Sequence, residues 1–252
     1  MSYVLISAPI YKRNWILPDW LKAIEDQDFR MANLGFQFEA APDDDDTINT
    51  LLEFHAKHPE LHSFDIVMND LETHVSHPEG YRAWQRDRYA VMANFRNNLL
   101  ARARVKAPDR YFSLDTDILL TDPTTISSLY QMTTQLDAVS PLCFMTPNDA
   151  AFPNVMTWAG SGHAFRSDDY PIGSIFEADV IMACVMMSRR VYENTNYRYH
   201  PQGEDLGWSL DCLEKGYKLY SASTIYAPHI MSESMLARYK KNGDTLEIRK
   251  EI

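Results

Sequence analysis

Two carboxylates, Asp115 and Asp117, stand two positions apart at the end of the apolar run Arg-Tyr-Phe-Ser-Leu-Asp-Thr-Asp-Ile-Leu-Leu, residues 110–120. Alternate residues of a strand share a face, so an extended backbone carries both side chains to one side of the strand end. Like charges held that close repel unless a cation lies between them, and hard divalent ions prefer oxygen ligands. The pair therefore predicts a metal site; its alternative is a solvated acidic turn. Arg96 falls inside the stripe Tyr89, Met92, Leu99 and Ala103, at spacings of three and four. A lone guanidinium on an apolar helix face pairs with a carboxylate, reaches into a cavity or snorkels at the edge. Its helix immediately precedes the acidic strand, which predicts reach to a phosphate beside the metal. Gly203-Glu204-Asp205 opens a helix. Acids there gain from the helix dipole, and the same place suits Asp205 as general base on an acceptor hydroxyl, with Glu204 in support. His229, after Tyr226-Ala227-Pro228, follows the last core strand. It is a candidate third metal ligand, against the alternative of a structural hydrogen-bonding histidine.

Strands are predicted at 3–7 (broken by Pro9), around Phe36 and Phe38, and at 64–68, 110–117, 138–144, 180–188 and 217–226. Helices are predicted from Pro18, with Trp20, Leu21 and Ile24 as its apolar stripe, and at 48–57, 84–106, 123–135 and 204–215. The run Asp43 to Asp46 is a solvated turn capping the second of these. Strands alternating with helices predict an α/β fold: a Rossmann-type, mostly parallel sheet flanked by helices in a single domain. Ligands of such sheets lie outside the carboxyl ends of the strands. Residues after Ser7, residues after Met68, and the aspartate pair should then line one cleft. Residues 145–177 are Pro-, Gly- and aromatic-rich without a clear period, the mark of a functional loop. Within it Trp158-Ala-Gly-Ser-Gly-His163 is expected to close over substrate, Trp158 and His163 meeting the acceptor; an Ω-loop packed on Trp158 and Phe165 is the alternative.

Composition narrows the class. The chain has 252 residues, 45% hydrophobic and 12% aromatic, as ordered globular proteins do. Cys143, Cys184 and Cys212 match neither a disulfide framework nor a zinc pattern, so buried free thiols and a reducing, cytoplasmic location are expected. Five of the eight histidines fall between His55 and His77 and are expected in surface loops. The first residues carry no basic region of a signal peptide, and the longest apolar stretch, 180–187, is too short to cross a bilayer. No stable membrane insertion is expected. A net charge of −11 disfavours non-specific attraction to nucleic acid or anionic lipid. Residues 233–252 read as a charged tail.

In order along residues 3 to 229, Ser-Ala-Pro-Ile-Tyr-Lys-Arg, Phe-Arg-Asn-Asn-Leu-Leu, Leu-Asp-Thr-Asp, Gly-Glu-Asp and a late Pro-His resemble the GT-A class of nucleotide-sugar-dependent glycosyltransferases, small bacterial or phage enzymes in particular. The resemblance implies a GT-A-like domain over 1–232, with a nucleotide-sugar half (1–120) and an acceptor half (121–232). It implies Mn2+ or Mg2+ on Asp115, Asp117 and His229, holding the diphosphate of a nucleoside-diphosphate sugar. Ala8, Pro9, Tyr11, Arg13, Asp70, Arg96 and Asp115 would contact the donor. Asp205 would be the base of an inverting enzyme or the acceptor-orienting group of a retaining one. The acceptor is a hydroxyl-bearing molecule, a saccharide or a modified DNA base. The Arg-Asn-Asn-Leu-Leu stretch also looks like that of fungal-type α-mannosyltransferases. Two rivals remain: a haloacid-dehalogenase-like phosphatase, which also uses Asp-x-Asp after a strand, and a non-catalytic nucleotide-sugar-binding module.

Overall fold

The computed structural model describes residues 2–69, 86–144, 153–157 and 170–242, the side chains of 86, 87 and 242 excepted. In chain order the elements are β1 (Val4–Ile10), α1 (Leu17–Glu25), β2 (Leu34–Ala40), α2 (Asp45–Lys57), β3 (Ser63–Met68), α3 (Arg86–Lys106), β4 (Arg110–Leu114), α4 (Thr125–Met132), β5 (Ala138–Phe144), β6 (Val155–Met156), β7 (Ile175–Ala178), β8 (Val180–Ile181), β9 (Cys184–Ser188), α5 (Arg189–Tyr192), α6 (Glu204–Glu214), β10 (Leu219–Pro228) and α7 (Glu233–Asn242). Eight strands form one sheet in the order β3-β2-β1-β4-β9-β5-β10-β7. Six run the same way; β9 opposes β4 and β5, and β7 opposes β10. The expected α/β sheet, mostly parallel and flanked by helices, is what forms.

Strand alternation sends side chains to two separate cores. Val4, Ile6, Phe36, Phe38 and Phe112 face α1, α2, α4 and α7, with Trp20, Leu51 and Leu129 packed among them. Leu5, Tyr111, Val185 and Met187 face α3, α5 and α6, meeting Leu100, Tyr192 and Trp208. Full burial of side chains this size contributes about 1.5–3 kcal/mol each, so both helical layers are held to the sheet mainly by apolar area.

Several predicted boundaries move, each for a local reason. β1 runs on through Pro9 because β4 accompanies it only to Ser7, and no β4 ladder bond is lost where the proline lacks its N–H. Gln37 and Glu39, whose polarity suggested one wet face on β2, are buried. Gln37 Nε2 donates to Ser7 Oγ and Leu99 O, and Glu39 meets Asn98 and Arg102 on α3. Asp44 precedes α2 without capping it; its carboxylate accepts the Lys12 N–H instead. His55 lies on α2, stacked on Phe64, rather than in a loop. The stretch 180–188 is two strands, broken at Ala183, whose φ is +65°. The first half of the expected tail is α7, with Leu236 and Tyr239 in the core. All three cysteines are buried and free. Among the described residues no helix is long and apolar enough to cross a membrane.

Sequential neighbours β1, β2 and β3 extend one way from β1, whereas β4 pairs on its other side. The order reverses between β1 and β4, and a crevice opens outside their carboxyl ends, the ordinary ligand position of an open α/β sheet.

Candidate active site

The aspartate pair lies just past β4, not within it. Ile118 N–H donates to Asp115 O at 3.1 Å, closing a turn, and Ile118 then bridges His229. A turn does not alternate side chains as a strand does, and the two carboxylates part company. Asp115 turns to α3, where Arg96 Nη2 reaches both its oxygens at 2.8 and 3.1 Å. Asp117 turns to the opposite wall, with Arg13 Nη2 3.0 Å from Oδ2 and His229 Nε2 3.3 Å from Oδ1.

The end of β10 is stitched to this turn. Leu119 N–H donates to Pro228 O, Ile230 N–H to Asp117 O, and His229 N–H to Phe144 O at 2.8 Å. On the other side, Asp115 N–H donates to Ala183 O at 2.9 Å and Trp20 Nε1 donates to Asp115 O at 3.1 Å. The left-handed backbone at Ala183 presents its carbonyl to Asp115, while its N–H faces the Asp205 carboxylate and opposes the rise in that group's proton affinity. Gly203, at φ +134°, turns the chain into α6 and sets Glu204 and Asp205 in its first turn.

Arg96 is the centre of the acidic cluster. Its side chain is 3% exposed; Nε donates to Glu204 Oε1 at 3.1 Å, Nη1 to Ser113 Oγ at 3.1 Å, and Asp205 Oδ1 lies 3.9 Å away. Tyr197 lies beneath the guanidinium, 5.4 Å from ring centre to Cζ. The group expected to meet a phosphate is thus engaged by protein acceptors and holds three carboxylates together. Burial pushes the Asp205 carboxyl up to about 8, with Glu204 and Asp115 adding to the rise while Arg96 and the Ala183 N–H oppose it. Asp115 is raised too, first by burial.

One cavity of about 370 Å³ joins these groups. Pro9, Arg13, Arg96, Asp115, Asp117, Glu204, Asp205 and His229 all line it, and Met92, Met156, Met182 and Met231 supply apolar wall. Ala8, expected under a nucleotide, is fully buried in the core. Tyr11 stands outside the lining, its hydroxyl 3.5 Å from Asp43 Oδ2. Asp70, Trp158 and His163 lie outside the described residues. Asn154 escaped the sequence reading. Its side chain accepts Cys143 N–H and donates to Met182 O, pinning the turn at Ala183. No residue-type signal distinguishes it from any other loop asparagine.

Among the described residues no three His, Cys, Asp or Glu side chains converge as a closed metal cage. Asp117 and His229 nevertheless fit a divalent ion as a pair. Carboxylate oxygen and imidazole nitrogen suit Mn2+, and two ligands about 2.1 Å from one ion stand near 3 Å apart, close to the observed 3.3 Å. Asp115, with both oxygens on Arg96, is less free to join them.

Gly207, on α6, shows how tightly that helix is seated. A β-carbon there would fall 2.0 Å from the Arg198 carbonyl oxygen. Gly207→Ala is expected to cost about 1–3 kcal/mol and to shift Asp205 with the helix. A thermal melt checks it, and an unchanged midpoint would mean that α6 has room to move.

Solved structures with the same architecture define the class. The mannosyltransferase PcManGT from Pyrobaculum calidifontis, in complex with GDP-Man and Mn2+, superposes with a TM-score of 0.59 at 14% identity, over 95% of this chain and 60% of that one. TarS 1-349 from S. aureus gives 0.57 at 11%, over 90% and 60%, and the same fragment in complex with UDP gives 0.54 at 10%, over 94% and 62%. The fold is therefore that of the GT-A glycosyltransferases. A family model described as "Glycosyltransferase family 25, N-terminal domain" matches residues 1–213, and the chain belongs to that family. A curated "Glycosyltransferase 25 family member" from Aedes aegypti is 23% identical over 260 residues, 97% of this chain but 42% of its own length. The chain thus spans less than half of that relative. Family membership, and an Asp115 clamped by Arg96 rather than poised as a nucleophile, set the phosphatase reading aside.

Proposed function

We propose that the cavity transfers a sugar from a nucleoside-diphosphate sugar to an acceptor hydroxyl with the help of a divalent cation. The observation that carries this reading is the placement of Asp205. Its carboxylate, 19% exposed, lines the cavity that also holds the Asp117–His229 pair. A carboxyl whose affinity for a proton is raised towards neutrality is suited to take one from an attacking hydroxyl.

Roles follow from position. Asp205 accepts the acceptor's proton. Arg96 holds Asp205, Glu204 and Asp115 in fixed relation, so the base is oriented before substrate arrives. Asp117 and His229 would hold Mn2+ or Mg2+, which when bound supplies positive charge to the departing diphosphate. Arg13, paired with Asp117, would stand beside that leaving group. The apolar methionine wall limits water, which would otherwise compete with the acceptor. GDP-Man with Mn2+, and UDP, in the neighbouring structures support a nucleotide donor and a cation. Three buried free thiols support a reducing compartment.

A thermal-shift series tests the donor half. Mn2+ and a nucleoside diphosphate together, at about one hundred times their dissociation constant, are expected to add about 2.7 kcal/mol, roughly 5–10 °C in melting temperature. Asp117→Ala is expected to abolish the Mn2+-dependent part of that rise. An undiminished rise would remove Asp117 from the cation site. Release of diphosphate from a panel of nucleotide sugars, with and without acceptors, then tests transfer.

A further inference from the structure

Of the three arginines among the described residues that line the cavity, Arg13, Arg88 and Arg96, two are bonded to the aspartate pair, Arg13 and Arg96, and they are built differently. Arg96 is 3% exposed and bonded through all three guanidinium nitrogens, so it has nowhere to go. Arg13 is pinned only by its backbone. Its N–H donates to Thr47 Oγ1 at 3.1 Å, and its carbonyl accepts Ile16 and Leu17 N–H at 3.0 and 2.9 Å at the start of α1. Its side chain is 25% exposed, and among the described residues its guanidinium has one hydrogen-bond partner, Asp117 Oδ2 at 3.0 Å. Asp117, at 5% exposure, is the carboxylate that the reading above gives to the cation.

A guanidinium never gives up its charge, so Arg13 and a divalent ion cannot share Asp117 without strong repulsion. A diphosphate, in turn, offers Arg13 more negative charge than one carboxylate, in oxygen pairs that match its fork. We infer that Arg13 is the resident counter-ion of Asp117, and that the donor diphosphate draws it away so that cation and donor enter together. This rests on the cation-dependent reading of the site. The cation alone meets a positive charge, the diphosphate alone must compete with Asp117, and each ligand removes the other's obstacle. The result is positive coupling between two ligands through one swinging side chain.

The test is Mn2+ binding itself, followed by calorimetry on the full chain, alone and with saturating UDP or GDP. Arg13→Gln is expected to bind Mn2+ alone roughly tenfold tighter than the wild type, the order of the repulsion removed. The factor by which nucleoside diphosphate tightens Mn2+ should shrink correspondingly. Arg13→Lys, which keeps the charge, should stay near the wild type for Mn2+ alone. A folded Arg13→Gln protein with unchanged Mn2+ affinity overturns the inference while leaving the cation site intact. A wild-type protein that takes up no Mn2+ with either nucleotide overturns the cation-dependent reading, and this inference with it. If Arg13→Gln fails to fold, a wild-type crystal soaked with Mn2+ and UDP or GDP decides. Arg13 must then sit on phosphate, and an Arg13 still bonded to Asp117 beside a bound ion refutes the exchange.

Discussion

Asp205→Asn is expected to lower the rate of sugar transfer by roughly 10²–10⁴-fold, the usual contribution of a positioned general base. The same variant is expected to be more stable than the wild type at neutral pH. Its carboxyl moves from an ordinary 3.8 in the unfolded chain to about 8 in the folded one, chiefly through burial. Between those values the folded state binds more protons than the unfolded state, so stability is full below about 4 and drains away as pH rises to 8. Asparagine carries no such linkage. Because the Asp205 side chain is 19% exposed, the shift is discounted to about 2 kcal/mol at pH 7, roughly 4–8 °C in melting temperature. Melts of both proteins in EDTA from pH 4 to 8 check this: the curves should meet at the acid end and separate towards the alkaline end. Parallel curves would mean that the carboxyl is ionised throughout and is no better a base than any surface aspartate. Asp205→Asn should also keep its nucleotide affinity, which separates a transferase from a mere binding module.

Arg96→Ala is expected to be the most destabilising single change in the site. It strands Asp115, Glu204 and Asp205 around an empty space, with Ser113 Oγ losing a donor as well. Removing one partner of a buried ion pair costs about 3–5 kcal/mol, because uncompensated charge stays behind. The melting temperature should fall by roughly 10 °C or more. Arg96→Lys should recover only part of the loss, since one ammonium cannot replace three guanidinium nitrogens that bond Asp115, Glu204 and Ser113 at once. A fall of only a degree or two in Arg96→Ala would show that the three acids protonate and close up without it. Double substitution supplies a further check. Arg96→Ala with Asp115→Asn should be less destabilised than the sum of the single variants, as coupled neighbours are.

The fold was legible because its signals are local. Short apolar runs at 64–68 and 138–144, the proline opening α1 and the stripe of Trp20, Leu21 and Ile24 each state an element by themselves, and their alternation states the sheet. What escaped was set by distant neighbours. Nothing in 180–188 announces a left-handed alanine, because the partner of the Ala183 carbonyl, the Asp115 N–H, lies 68 residues away. Gln37 and Glu39 read as solvent-facing until α3 is known to cover them with its own amide and guanidinium groups. In the site, residue types pointed to Asp115, Asp117, Arg96, Asp205 and His229, and all five line one cavity. Their partners were not legible. Strand geometry was assumed for the aspartate pair where a turn exists, and so two diverging carboxylates were taken for one chelating pair. The stripe position of Arg96 pointed to a phosphate beside the metal, and nothing in it announced the three carboxylates that the guanidinium holds.

The insertion of β9 between β4 and β5 bears on how the molecule comes to exist. β4 ends at residue 114 and its antiparallel partner begins at 184, so that flank of β4 stays unpaired until some seventy more residues have joined the chain. Closures of such long range come late. A nascent polypeptide halted before that point would carry a sticky, open-edged half-sheet, and such edges invite pairing between chains. The ribosome must pass residue 183 before Asp115 gains the neighbour that its peptide N–H requires. Shortened versions designed for expression must therefore keep β9, together with α6 and β10, which carry Asp205 and His229 and cover β5.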